Sequence, residues 1–187
     1  MKIIKRIFDL VIAGLTLVFA MPIMLLLAIA IKLDSAGPVL YYRLPDGSFT
    51  YRVGTGGKPF KYFKFRSMTH GNNGTPQEVT RVGHLIRCWH LDELPELFLV
   101  LSGKMSLVGP RPLSVNIVDR LTREYFQAKM VKPGITGPSQ LKGKFLPIPK
   151  KIETDLWYIE NWSIFQDVRI LLRTPIVIFN QRNQPQF

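Results

Sequence analysis

A chain of 187 residues that is 47% apolar has enough hydrophobic side chains for one compact domain and an appendage. Lys and Arg outnumber Asp and Glu 25 to 13, giving a net charge of +12, and that balance predicts attraction to anions: nucleic acid, acidic headgroups or phosphorylated substrates. The single cysteine, Cys88, excludes an intrachain disulfide and fits a reducing compartment, while His70, His84 and His90 are scattered without zinc-ligand spacing.

The first element is the strongest. Leu10 to Ile31 carry no charge, and as a helix they are roughly 33 Å long, the thickness of a bilayer core. The run is too long for a cleaved signal peptide, and Asp9 interrupts its front. A core helix that is apolar all round and this long is unusual. A single crossing conflicts with charge, because Lys2, Lys5 and Arg6 precede the run and a strongly basic domain follows it. A helix that enters the membrane, bends and leaves on the same face resolves the conflict. Pro22, near the middle of the run, supplies the bend by removing a backbone hydrogen bond. The expected division is a membrane-embedded re-entrant hairpin at 1–34 and a cytoplasmic domain at 35–187.

From Ser35 the chain turns polar and Gly-rich, and 37–68 reads as short strands and turns. "PDGS" is a hairpin turn, and "VGTGGKPF" is a turn without Walker spacing. In "KPFKYFKFRSM", strand alternation puts Phe60, Tyr62, Lys64 and Arg66 on one face and Phe63 and Phe65 on the other. "RVGHLIRCWH" reads as a short helix. Leu94, Leu97, Phe98 and Leu101 form an apolar stripe for the next, with Gly103 as its stop. A helix over roughly 114–130 lies between the rigid turns "LVGPRP" and "VKPGITGP". Residues 153–180 read as one or two amphipathic helices whose Trp157, Tyr158 and Trp162 suit a membrane interface or a core. The fold class is α+β: a membrane helix-hairpin with a small helix-rich domain, short strands and interfacial amphipathic helices.

Asp92 and Glu93 stand side by side at a predicted helix N-terminus, and two readings of them stay open. Acids there satisfy orphan amides and the helix dipole, so they can simply cap. The same setting favours a charged carboxylate, which suits a nucleophile. Chemistry needs cations alongside, and Lys64, Arg66, Arg87 and the Pro-locked Arg111 are candidates. With a divalent cation they would neutralise a phosphate under attack. The chemistry so outlined is phosphoryl transfer.

Five ordered blocks carry a resemblance to a known family: "KRIFDL" with the Pro-broken apolar run, "PFKYFKFRSM", "TRVGHLIRCWHLDELPELFLVLSGKMSLVGPRP", "VKPGITGPSQLKGK" and "DLWYIENWSIFQDVRILLRT". Together they resemble the bacterial sugar transferases, the monotopic polyprenyl-phosphate phosphoglycosyl transferases. The resemblance implies transfer of a sugar phosphate from a nucleotide sugar, usually a UDP-sugar, to polyprenyl phosphate. Nucleoside monophosphate (UMP) leaves, at the first membrane step of surface glycan assembly. It implies that Asp92 is the nucleophile of a covalent phosphosugar intermediate and that Glu93 helps deprotonate the acceptor. Magnesium assists beside Asp92, and Arg87 and Arg111 lie around the phosphates. Asp167 matches a late functional aspartate grouped with the substrate-binding residues. The implied partners are nucleotide sugar, polyprenyl phosphate and membrane lipids, not nucleic acid, at the cytoplasmic face of the inner membrane.

The sequence departs from the family pattern at Met21, His90 and Lys104. Lys144 stands where Arg is usual, so a phosphate contact there loses its bidentate geometry. "LPDGSFTYRVG" is longer than the usual Gln-x-Arg-x-Gly segment, so Arg43 and Arg52 have no fixed counterpart in the family pattern. Two other function classes compete. One is a basic membrane-surface or nucleic-acid-binding module without catalysis, suggested by the interleaved cations and aromatics of "KPFKYFKFR". The other is a transferase that moves the sugar alone and releases nucleoside diphosphate.

Overall fold

A computed structural model describes residues 2–44, 47–69, 77–115, 131–143 and 146–181. Its first helix, α1, runs without interruption from Lys2–Asp34, with Pro22 inside it. Among the described residues three two-stranded sheets follow: β1 (Leu40–Tyr41) antiparallel to β4 (Lys64–Phe65), β2 (Tyr51–Val53) antiparallel to β3 (Pro59–Lys61), and β5 (Ser106–Val108) parallel to β6 (Gly134–Thr136). The further helices among those residues are α2 (Arg81–Cys88), α3 (Glu96–Leu101), α4 (Pro138–Leu141), α5 (Ile148–Glu160) and α6 (Ile164–Gln181). Mixed helix and short strand is therefore the observed class. Most of the expected helix over 114–130, and the tip of the "PDGS" turn, lie outside the described residues. The turn's base is closed by Leu44 N–H donating to Ser48 O at 2.8 Å.

The core gathers Phe60, Phe65, Ile86, Leu97, Val100, Met105 and Val108 with Ala13, Ala20, Met24 and Ile31 of α1. Only this narrow stripe of α1 is covered. Leu15, Val18, Phe19, Leu25 and Leu26 are 56–75% exposed, a larger apolar surface than water tolerates on a monomer. A core helix is thereby excluded, and a bilayer is the solvent that suits the helix.

Both ends of α1 are fastened to the same domain. Near the start, Arg6 donates to Val100 O at 2.6 Å and Leu101 O at 2.8 Å, covering the carbonyl end of α3. One turn on, buried Asp9 accepts from Lys5 Nζ at 2.9 Å, Ser106 Oγ at 2.8 Å and Leu107 N–H at 3.2 Å. At the far end, Arg66 donates to Ala36 O, to Ser35 O at 2.7 Å and to Ile31 O at 3.4 Å. Asp34 accepts from Val82 N–H at 2.9 Å, in the first turn of α2.

Candidate active site

Lys64 projects from β4. Arg87 comes from the last turn of α2, whose start is capped by Thr80 Oγ1 accepting from Gly83 N–H. Gly83 has no alternative there, because a Cβ would lie 2.0 Å from Ser67 O. The chain then reverses through His90, held in the left-handed region at φ 53°, into a 3₁₀ turn, Leu91–Glu93, just ahead of α3. Pro95 is the N-cap of α3, and neither it nor His90 makes a side-chain capping bond. The carboxylates turn instead toward cations. Asp92, 4% exposed, accepts from Lys64 Nζ at 2.8 Å. Glu93 lies 3.6 Å from His90 Nδ1 and 3.9 Å from Arg111. Arg111 follows β5 on the loop after Gly109. Gly109 and Gly134 press together so closely that a Cβ on Gly134 would lie 2.1 Å from Gly109 N.

These groups border one cavity of about 740 Å³. Lys64, Arg87, His90, Asp92, Glu93, Arg111 and Lys151 line its polar part, and Ile12, Leu171, Pro175 and Ile178 of α1 and α6 line an apolar part. Electrostatics within it are coupled. Burial would raise the Glu93 pKa, but the His90 hydrogen bond and the charges of Arg111, His90 and Lys64 outweigh it and hold the carboxyl below its usual range. The Glu93 bond leads in raising His90, against burial. Burial, then Arg111, lowers Lys151.

Two expected substrate ligands are elsewhere. The stretch "KPFKYFKFR" is two strands with different partners, which separates Phe60 from Lys64, and Arg66, whose N–H continues the β1 pairing by donating to Val39 O at 2.8 Å, turns its guanidinium onto the carbonyls closing α1. Asp167 is fully buried away from the cavity, accepting from Tyr158 Oη at 2.6 Å and Trp162 Nε1 at 3.2 Å and pairing with Lys5 at 2.8 Å. It joins α6 to α1. Lys144 lies outside the described residues. Arg87 borders the cavity with its Nε bonded to Ser67 Oγ at 2.7 Å. Arg43 packs over Phe49, 4.4 Å from its ring centre, and Arg52 lines a smaller cavity together with Glu93 and Glu96.

The sequence reading missed Glu96. It is 2% exposed, accepts from the Tyr62 hydroxyl, and has its pKa pushed well up by burial and then by Glu93. Its position one helical turn after Glu93 was the available signal. Lys151, brought to the cavity by α5, had no local signal.

The family model described as bacterial sugar transferase matches residues 1–181. The chain belongs to that family. Its curated relatives include the UDP-glucose:undecaprenyl-phosphate glucose-1-phosphate transferase of Klebsiella pneumoniae, 40% identical over 92% of this chain. Another is the UDP-N-acetylgalactosamine-undecaprenyl-phosphate N-acetylgalactosaminephosphotransferase of Aeromonas hydrophila, 39% identical over 91%. The chain spans only 39% and 42% of those two proteins. It spans 85% of an uncharacterized sugar transferase, EpsL, of Bacillus subtilis, at 41% identity. The family match therefore covers both the apolar α1 and the carboxylate-bearing cavity.

Proposed function

We propose that the chain is a polyprenyl-phosphate phosphoglycosyl transferase, moving a sugar phosphate from a UDP-sugar to polyprenyl phosphate. The observation that carries this is the cavity itself. Paired carboxylates and four cations stand at one part, and the apolar walls of α1 and α6 form another. A phosphate headed by a long hydrocarbon needs both. The relatives' printed donors, UDP-glucose and UDP-N-acetylgalactosamine, support a UDP-sugar.

In the first half-reaction an Asp92 oxygen attacks the phosphorus that bears the sugar. The bond from that phosphorus to the bridging oxygen breaks, and UMP leaves with the electron pair. Lys64 orients Asp92, and Arg87 and Arg111 gather the phosphate charge. In the second, a phosphate oxygen of the acceptor attacks the same phosphorus, the acyl-phosphate bond breaks, and the Asp92 carboxylate is restored. Glu93, held ionised, takes the proton of a monoanionic acceptor. Magnesium binds through one or two carboxylates plus substrate phosphates. Asp92 would hold it, and the ion would neutralise diphosphate charge.

The attachment of both ends of α1 to one domain supports a re-entrant helix with both ends cytoplasmic, at the inner membrane. The test is a screen of nucleotide sugars with undecaprenyl phosphate, scoring the nucleotide released. Monophosphate release is expected. Diphosphate release would indicate transfer of the sugar alone, and no turnover with any donor would remove the reading.

A further inference from the structure

Behind Glu93 lies a second, smaller cavity of about 180 Å³, sharing Glu93, Arg111, Ile135 and Gln140 with the large one. Its other polar walls are Arg52, Tyr62, Glu96 and Ser114. Residues far apart in the chain build it. Arg52 from β2 donates to Ser114 Oγ and lies 4.9 Å from the centre of the Tyr62 ring. Tyr62 in turn donates to Glu96 at the start of α3.

The composition of these walls selects a ligand class. Two guanidinium groups, Arg52 and Arg111, oppose a metal cation. The Glu93 carboxylate opposes a second phosphate, and the phosphate-binding cations Lys64, Arg87 and Lys151 border the large cavity and not this one. What matches charges of both signs, a carboxyl group, two hydroxyls and an aromatic face is an uncharged polyol, whose hydroxyls donate and accept at once. We propose that this chamber is the binding site for the donor's sugar, with Glu96, Arg52 and Ser114 reading its hydroxyls. The assignment rests on the transferase reading above. It is consistent with it in space, because Arg111 and Glu93 stand at the junction of the two cavities, where the phosphate joining sugar to nucleotide would lie.

The test uses the full chain in lipid, with a panel of UDP-hexoses that differ at single hydroxyls, UDP-glucose and UDP-galactose among them. kcat/KM is measured for wild type, Glu96→Gln and Ser114→Ala, together with inhibition by UMP, which lacks the sugar. Wild type is expected to discriminate between epimers, and each variant to change that ratio by about tenfold or more, as loss of a hydroxyl contact does. UMP inhibition is expected to stay within about twofold. Ser114 is half-buried, so its truncation tests the chamber without disturbing the core. An unchanged ratio, with all hexoses falling by one factor, would overturn the sugar assignment while leaving the transferase reading standing. A wild type that treats the epimers alike would do the same. A wild type inactive on every UDP-hexose would overturn both.

Discussion

Asp92 and Lys64 are held 2.8 Å apart in the cavity, and each side chain near them has a separable consequence. Arg111 sits on a loop fixed by two prolines and by the Gly109–Gly134 contact. Arg111→Ala is therefore expected to lower kcat/KM by roughly 100-fold, the scale of a lost anion-stabilising group, with membrane association unchanged in a flotation assay. Full activity would make it a surface charge. The His90–Glu93 pair sets a pH window. His90 is raised when folded, so its contribution is complete below its unfolded pKa and fades as pH rises through the folded value. Glu93 is lowered, so its contribution is complete above its unfolded pKa and fades as pH falls through the folded value. The pair is thus fully effective between about 4.3 and 6.5. The His90 titration followed by NMR should show a midpoint above 6.5 that drops in Glu93→Gln; an unmoved midpoint would dissolve the pair. Glu93→Gln should also slow turnover most at low pH, and the defect should ease above about pH 6, where the acceptor phosphate has already lost its second proton.

Helices and strands matter here as carriers of those side chains, and the sequence disclosed them unevenly. Helix α1 was legible because twenty-odd uncharged residues admit few other readings, and α2, α3, α5 and α6 because their apolar periodicity is local. The destinations of Arg66 and Asp167 were not legible. Arg66 bonds carbonyls about thirty residues away, and Asp167 meets Lys5 at the other end of the chain. No local pattern encodes such meetings, and a charged residue in a matching block looks the same whether it holds a substrate or a helix. Asp167→Ala should accordingly act on stability. It leaves Lys5 without one buried partner, costing about 3 kcal/mol and lowering Tm by roughly 10 °C, while the folded fraction keeps its KM for donor. A raised KM at unchanged Tm would return Asp167 to the substrate. Gly83→Ala forces α2 away from Ser67 and should cost about 1–3 kcal/mol, with loss of activity because Arg87 moves with the helix.

At the scale of the molecule, one apolar helix is fastened at both ends to a basic domain. With Cys88 replaced by Ser, cysteines introduced at positions 3 and 40 should both react with an impermeant thiol reagent from the cytoplasmic side only. Periplasmic reactivity at position 3 would establish a full crossing. If Asp92 is a nucleophile, the reaction divides into two halves, and the first needs no lipid. Mass spectrometry of the intact enzyme incubated with UDP-sugar and magnesium is the most direct measurement. The expected result is a gain of one phosphosugar, localised to Asp92, accompanied by up to one equivalent of UMP, with both lost in Asp92→Asn. An enzyme that gains no mass, and releases UMP only when polyprenyl phosphate is present, would contradict covalent catalysis and require direct displacement on the donor.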